Sequence, residues 1–97
     1  MNKPSDANVE TELTEIPGIG KALSKDLIDT GIKRISDLRN KNPLKLYEKL
    51  NRLRNKTQDR CVLYAFRCAV YYAETDVNKR DLELLKWWNW KNRVINE

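Results

Sequence analysis

Two closely spaced glycines are the residues of this chain whose type and spacing best fit a chemical role. Gly18 and Gly20 follow Pro17 and stand directly before a pattern typical of a helix over residues 21–30. Glycine adopts backbone angles closed to other residues, and without a Cβ it lets another molecule approach the main chain. The first amides of a helix have no intrahelical acceptor and lie at the positive end of its dipole. The stretch 16–20 therefore predicts a tight turn that presents amides to an anion such as phosphate.

Groups suited to catalysis or metal binding are scarce. The chain has no histidine, and its two cysteines, Cys61 and Cys68, lie seven residues apart in a segment that we expect to be helical. Their Cα atoms would then be about 10 Å apart, which is too far for a disulfide. Two thiols without histidine do not make a zinc site, and no paired carboxylates mark a catalytic pocket. We therefore expect two buried structural thiols, no metal, no cofactor, no small-molecule substrate and no enzymatic activity.

The net charge of +5 is concentrated in one segment. Residues 16–60 carry 12 Lys or Arg against 5 Asp or Glu, whereas residues 1–15 carry 1 against 4 and residues 61–97 carry 6 against 5. A nucleic-acid backbone would be attracted to such a field, and the binding would weaken steeply with salt. The alternative is that these side chains only solvate the outer faces of helices. Charge and inferred position point to four candidate phosphate contacts: Lys25, Arg52, Arg54 and Lys56.

The first two helices are predicted to flank the glycine turn. Asn8 is suited to cap a short helix over residues 9–15. The helix after the turn should end at Gly31, which fits the left-handed position after a C-cap, and Ile32 can then fold back on Leu27. This pair of helices thus has a predicted start, turn and stop.

A short helical turn is expected at 37–39, and a stronger helix start follows it. Asn42 is an N-cap residue, and Pro43 after it occupies the first helical position, where proline is favoured. The helix should run to about residue 52. Its apolar residues expected to face the core are Leu46, Tyr47, Leu50 and Leu53.

The most apolar part of the chain is predicted to be a central core helix. Residues 54–58 indicate a polar, basic loop in which Thr57 could cap the next helix. Every residue from 61 to 73 except Arg67 is apolar or aromatic, and a helix covered on most sides has such a composition. We expect this helix over residues 58–74.

The last predicted helix, residues 81–90, carries three tryptophans. Trp87, Trp88 and Trp90 have too much apolar area to remain in water. They either close the bundle over the core helix or form a contact surface for a protein partner or a second copy of the chain, since tryptophan is enriched at interface hot spots. A stacking platform for single-stranded nucleic acid is a third reading, for which three bunched rings make a poor track.

The glycine turn and its surroundings resemble the helix-hairpin-helix motif of DNA repair and recombination proteins. The resemblance lies in the string of residues 16–20, the small Ser24, and the downstream Leu27 and Gly31. In that family a short helix, the hairpin and a second helix bind the phosphates of duplex DNA through hairpin amides, without reading sequence. The resemblance implies phosphate contacts at Gly18, Ile19, Gly20 and Lys21.

A broader likeness extends over roughly residues 10–90. The order of segments resembles the C-terminal domain of the competence regulator TfoX and the small bacterial proteins called pathogenicity locus proteins, with residues 66–73 and the tryptophan-rich segment closest to the latter. In the wider family two hairpins often pack about a pseudo-twofold axis. Here residues 54–57 occupy the second place without glycines, so side chains at Arg52, Arg54 and Lys56 would have to replace amide contacts.

These observations predict an all-α protein, a single small bundle of about five helices with helix-hairpin-helix (SAM-like) architecture. The domain is expected over residues 8–92, with an N-terminal tail at 1–7 and a C-terminal tail at 93–97. No run suits a membrane span or a signal peptide, so we expect a cytoplasmic protein. The leading hypothesis is a non-catalytic module that binds duplex DNA, and the alternative is a protein-interaction module that uses the tryptophans.

Overall fold

The structure, a computed structural model, describes residues 12–97, in which all the regular secondary structure is helical. Its complete α-helices are α1 (Lys21–Asp29), α2 (Pro43–Arg54) and α3 (Arg60–Glu74). Short 3-10 turns follow α1 and α3 at Ile35–Leu38, Val77–Lys79, Leu82–Leu85 and Trp87–Trp90. Residues 12–97 contain no strand, which confirms the all-α class.

The helix before the glycine turn is described only at its end. It stops at Leu13, two residues earlier than expected, and residues 14 and 15 already form a turn. The cap predicted at Asn8 and the tail at 1–7 lie outside the described residues.

The end of α1 follows the prediction. Gly31 has a φ of +105°, and the amide of Ile32 donates to the carbonyl of Leu27 at 3.0 Å. The amide of Gly31 donates to the carbonyl of Ile28, also at 3.0 Å. Together these two bonds form a Schellman motif, and both Leu27 and Ile32 are buried.

The start of α2 also follows the prediction, but one apolar residue does not. Asn42 Oδ1 accepts a hydrogen bond from the amide of Lys45 at 3.1 Å, with Pro43 at the first helical position. Leu46, Tyr47 and Leu50 are buried. The prediction that Leu53 is buried is wrong, since it is 51% exposed. Residues 52–57 are all exposed, so no neighbouring element covers this last turn of α2.

The core helix α3 lies at the centre of the fold, as predicted. It is packed against by α2 and by the turns Ile35–Leu38, Leu82–Leu85 and Trp87–Trp90. It begins at Arg60 and its N-cap is Asp59, whose carboxylate accepts from the amide of Cys61 at 2.9 Å. The predicted cap at Thr57 is therefore wrong. Within the described residues no helix is both long and apolar enough to cross a membrane.

The one cation inside the apolar run is held by residues from the far end of the sequence. Arg67 is buried. Its Nε and Nη2 donate to the two carboxylate oxygens of Glu97 at 2.8 and 2.9 Å, and its Nη1 donates to the carbonyl of Trp90 at 2.9 Å. The forked guanidinium matches a carboxylate in this way. Residues 93–97, which the sequence assigns to a tail, thus include a side chain that reaches the core.

The segment predicted as a single helix over 81–90 forms two 3-10 turns instead, so that prediction is wrong. Side chains take the carbonyls that an α-helix would use. The carbonyl of Glu83 accepts from Asn89 Nδ2 at 2.7 Å, and the carbonyl of Leu84 accepts from Trp90 Nε1 at 2.8 Å. Both turns also pack against α3, so side-chain bonds and packing replace the α-helix that the periodicity of the sequence predicts.

Candidate nucleic-acid interface

The glycine turn is held by its apolar residues. The amide of Ile16 donates to the carbonyl of Leu13 at 3.1 Å, and the amide of Ile19 donates to the carbonyl of Ile16 at 3.0 Å. Both isoleucines are buried in the core, whereas Gly18 and Gly20 are exposed. The alternation of apolar residues and glycines therefore anchors the turn on one side and leaves main chain open on the other.

Gly18 is required by conformation and by packing. Its φ is +85°, a left-handed angle that residues with a Cβ rarely adopt. A Cβ built there would lie 3.1 Å from Cδ1 of Trp87. Gly18 therefore serves the shape of the hairpin and its contact with the tryptophan segment.

Gly20 has a different role from the one predicted. Its φ of −89° and ψ of −170° are open to any residue, so the expectation of a special backbone angle is wrong here. A Cβ built at Gly20 would meet no described residue within 4 Å. The space beside the Gly20 main chain is therefore open in the described part of the chain.

The first turn of α1 has amides beside Gly20 that find no acceptor in the part of the chain that the structure describes. Gly20 is the N-cap of α1 and has no side chain to accept from the helix. The first helical bond runs from the amide of Ser24 to the carbonyl of Gly20 at 2.9 Å. The amides of Gly20, Lys21 and Ala22 have no acceptor among the described residues. The amide of Ile19, by contrast, is used inside the turn.

Two lysines flank these donors. Lys21 and Lys25 lie four residues apart on α1, hence on the same face of the helix, and both are exposed. Neither forms an ion pair within residues 12–97. Ser24 between them is buried, and its hydroxyl donates to the carbonyl of Lys21 at 3.2 Å. The exposed face at the start of α1 thus combines amide donors with positive charge.

Arg54, a predicted phosphate contact, is already engaged. Its Nη2 lies 2.6 Å from Oδ1 of Asp26 and 2.8 Å from Oδ2 of Asp29, both on α1. Hydrogen bonds to Asp29 and Asp26 raise the pKa of Arg54 above its ordinary value. The guanidinium links α2 to α1, and with two carboxylates against one cation the group retains a net negative charge.

The loop after α2, predicted at residues 54–58, uses most of its amides in hydrogen bonds within the protein. The amide of Asn55 donates to the carbonyl of Arg52 at 3.2 Å, that of Lys56 to the carbonyl of Asn51 at 3.1 Å, and that of Gln58 to Asn51 Oδ1 at 2.8 Å. Arg52 and Lys56 are exposed and form no ion pair with another described residue. This loop therefore offers the side chains of Arg52 and Lys56, whereas among its amides only that of Thr57 has no acceptor within the described residues.

The three tryptophans have three different environments. Trp90 is buried, its Nε1 bonded to the carbonyl of Leu84 and its ring 5.5 Å from that of Tyr71. Trp87 is half-buried and packs against the core. Trp88 meets the Trp87 ring edge-on at 5.6 Å and is 55% exposed. Only Trp88 presents most of its ring to solvent.

The two cysteines also differ. Cys68 is buried, and burial raises the pKa of its thiol to about 11. The prediction that Cys61 is buried is wrong, since it is exposed, and a hydrogen bond with Asp59 raises the pKa of its thiol. Both thiols are free. No group of three His, Cys, Asp or Glu suited to a metal ion occurs in the described part of the chain.

Sequence reasoning missed one group of cations. Lys41, Lys45 and Lys49 line a cleft together with Arg52. Lys45, Lys49 and Arg52 are spaced at i, i+4 and i+7, which indicates one face of a helix. That signal was present in the sequence, but the wall opposite this face comes from the turn after α1.

Comparison with known proteins agrees with part of the resemblance found in the sequence. Over 80 residues the chain is 28% identical to the mitomycin resistance protein McrB of Streptomyces lavendulae, and the alignment covers 82% of this chain and 70% of that protein. No solved structure gives a significant match. The sequence profile of the Pathogenicity locus (Cdd1) family matches residues 6–94. Because this match extends over almost the whole chain, the protein belongs to the Pathogenicity locus family.

Proposed function

We propose that this protein is a non-catalytic helix-hairpin-helix module that binds duplex DNA through its backbone phosphates. The observation that carries the proposal is that the amides of Gly20, Lys21 and Ala22 have no acceptor within residues 12–97 and lie beside an exposed turn. In this proposal the helix that ends at Leu13, the turn and α1 form the motif.

The chemistry of the contact is that of an anion at a helix start. Phosphate oxygens accept hydrogen bonds from the amides, and the helix dipole favours their charge. Lys21 and Lys25 supply the surrounding positive field. Contacts of this kind position a protein on the duplex without reading its sequence. We expect weak, salt-dependent binding that is independent of base composition.

In this proposal the loop at residues 54–57, in the place of a second hairpin, contributes less to duplex binding than the glycine turn does. Arg54 is committed to Asp26 and Asp29, so Arg52 and Lys56 remain as side-chain contacts. A phosphate there would be held by long, exposed side chains, which lose conformational freedom when they bind. The hairpin is therefore the principal contact.

A substitution at Gly20 allows a test in which the stability of the fold rises while the affinity for duplex DNA falls. In the variant Gly20→Asp the new carboxylate caps the amides of α1 and interacts favourably with the dipole, which stabilises the fold by about 0.5 kcal/mol. The same carboxylate occupies the proposed phosphate position and repels the duplex. Gly20→Asn caps the helix without the charge. Substitution of Gly18 is unsuitable because it would strain the turn and crowd Trp87.

The measurement is fluorescence anisotropy of a labelled mixed-sequence duplex at two salt concentrations, with urea unfolding of each protein. We expect salt-sensitive binding by the wild type, weaker binding by Gly20→Asn and loss of binding by Gly20→Asp, while both variants unfold at equal or higher urea. Asn78→Asp adds the same charge at an exposed position of Val77–Lys79 and should bind nearly as the wild type does. Unchanged affinity in Gly20→Asp would show that the hairpin does not hold phosphate.

A second candidate function is a protein-interaction module, favoured by the exposure of Trp88. The apolar side chains of Leu82 and Val94, from the same part of the chain, are also exposed. A homodimer formed through Trp88 would dissociate on dilution and would be abolished by Trp88→Gln. Light scattering over a concentration series tests this. A wild-type monomer at every concentration would count against a homodimer formed through this residue.

A further inference from the structure

We propose that the cleft between α2 and the turn that follows α1 binds a phosphoryl group, as an anion site separate from the hairpin. The cleft has a volume of about 350 Å³. One wall is the exposed face of α2, and the other is the turn of Thr30, Gly31 and Ile32. The proposal concerns phosphate oxygens, whether they belong to a nucleic-acid backbone or to a free phosphorylated molecule.

The charge of the lining is of one sign. Ten residues line the cleft; four of them are Lys or Arg and none is Asp or Glu. The four cations are Lys41, Lys45, Lys49 and Arg52. None of them has an ion-pair partner within residues 12–97. A concave surface lined by one charge concentrates its field and raises the local concentration of the opposite ion.

The cations converge because of the geometry of α2. Lys45, Lys49 and Arg52 lie at i, i+4 and i+7, within one stripe of the helix, and Lys41 enters from the turn before it. The amine of Lys49 donates to the carbonyl of Thr30 at 2.9 Å, which holds this side chain across the cleft. A Cβ built at Gly31 would lie 3.9 Å from the same nitrogen. Lys49 is therefore placed before any ligand arrives.

Ile32 and Leu46 are the apolar residues of the lining, and both are buried. The other eight lining residues are polar, charged or glycine, so the cleft presents mainly hydrogen-bonding and cationic groups to a ligand. Arg52 provides a planar fork that can bind two oxygens of one phosphate, and the lysines provide mobile point charges.

The cleft and the hairpin lie at opposite ends of α1. The hairpin precedes its first residue, whereas the cleft is formed by the turn after its last, and a helix of 9 residues separates them by about 13 Å. One phosphate cannot occupy both positions. The cleft shares only Arg52 with the contacts predicted from the sequence, so it can be tested without touching the hairpin.

Inorganic tripolyphosphate is the probe, measured on the full chain by calorimetry at low salt and by amide chemical shifts. The test variant is Lys41→Gln with Lys45→Gln, because both side chains are exposed, neither makes a hydrogen bond that the fold uses, and neither is a duplex contact in the proposed function, whereas Arg52 is. Lys49 is left intact since it holds the Thr30 carbonyl. The control is Lys79→Gln with Lys91→Gln, which removes the same charge at exposed positions outside the cleft.

We expect the wild type to bind tripolyphosphate with shifts at Gly31 and Ile32. The cleft variant should lose about tenfold or more in affinity, and the control should stay close to the wild type. Equal weakening of tripolyphosphate binding in both variants would overturn the proposal, because the effect would then be one of net charge. Chemical shifts that do not change at Gly31 and Ile32 would also overturn it, because the ligand would then bind elsewhere.

Titrations with a DNA duplex identify the source of the phosphate. If the cleft variant lowers the slope of log affinity against log salt for a DNA duplex by about 2, the ligand is the nucleic-acid backbone. If it loses tripolyphosphate but keeps its duplex affinity, the ligand is a free phosphorylated molecule. Gly20→Asp should lower the affinity for the duplex and leave the affinity for tripolyphosphate unchanged. The hairpin proposal and the cleft proposal are therefore contradicted by different results. If the cleft variant keeps its affinity for both tripolyphosphate and the duplex, the proposed site is refuted.

Discussion

Gly18 lies against the indole of Trp87, so closely that a Cβ at Gly18 would be 3.1 Å from Cδ1 of the ring. Gly18 belongs to the turn before α1, and Trp87 belongs to the last 3-10 turn of the chain. The tryptophan segment thus packs against the glycine turn, whereas a Cβ at Gly20 would meet no described residue within 4 Å. The two glycines of one short motif serve packing and access respectively.

This division predicts unequal effects of alanine at the two glycines. Gly18→Ala should lower the free energy of unfolding by about 2 kcal/mol, because alanine in a left-handed conformation is strained and its methyl group crowds Trp87. Gly20→Ala should cost only about 0.5 kcal/mol, the difference between glycine and alanine at an N-cap. Urea unfolding of both variants measures this. Equal losses would contradict the separate roles.

The lysines of α1 should contribute to duplex binding through charge. Lys21→Gln and Lys25→Gln should each reduce the slope of log affinity against log salt by about 1, because both side chains are exposed and unpaired within the described residues. Lys79→Gln is the matched control and should leave the slope unchanged. Anisotropy titrations at several salt concentrations give the slopes. A control that behaves like the test variants would mean that binding follows net charge alone.

The buried ion pair of Arg67 and Glu97 should matter for stability. The side chain of Glu97 is only 9% exposed, and Glu97→Gln would leave the buried guanidinium without its charge partner. We expect a loss of about 3 kcal/mol. Glu83→Gln breaks the pair with Lys86, in which the Glu83 side chain is 68% exposed, and should cost less than about 0.5 kcal/mol. Thermal and urea unfolding compare the two, and a similar cost for both would mean that the Arg67 pair is not buried in solution.

Cys68 should make the protein less stable at high pH. Burial raises the pKa of its thiol to about 11, so above the ordinary thiol pKa the unfolded chain loses this proton while the folded chain keeps it. The stabilisation is therefore complete below about pH 9 and is lost as the pH rises to about 11. In Cys68→Ala the fall in unfolding free energy across this range should be shallower than in the wild type. Parallel curves would show that Cys68 ionises alike in both states.

Features that depend on neighbouring residues were readily predicted. The Schellman motif at Gly31 and the start of α2 at Asn42 and Pro43 lie where the sequence places them, because each rests on the backbone preferences of a few adjacent residues. The central position of α3 was also predicted, since so apolar a helix must be covered on most sides. The same local patterns led to the Pathogenicity locus family.

Features that depend on what lies opposite a residue in the fold were not predicted. The periodicity of α2 directs Leu53 inward, yet no element covers that turn. Arg54 was predicted to face phosphate, but Asp26 and Asp29 of another helix occupy it. In the segment 81–90, side chains capture the carbonyls that helical periodicity assigns to backbone amides.

By itself, the sequence determined the all-α class, the approximate positions of the three complete α-helices, the family and the position of the glycine turn, because these depend on local conformational preference and composition. The tertiary structure alone decided that Gly18 supports Trp87, that Gly20 is the open position, that Trp88 rather than Trp90 meets solvent, and that the lysines of α2 face a cleft. Each of these facts depends on contacts between segments far apart in the chain. Such contacts follow from the packing of the whole core, which the order of residues along one helix does not reveal.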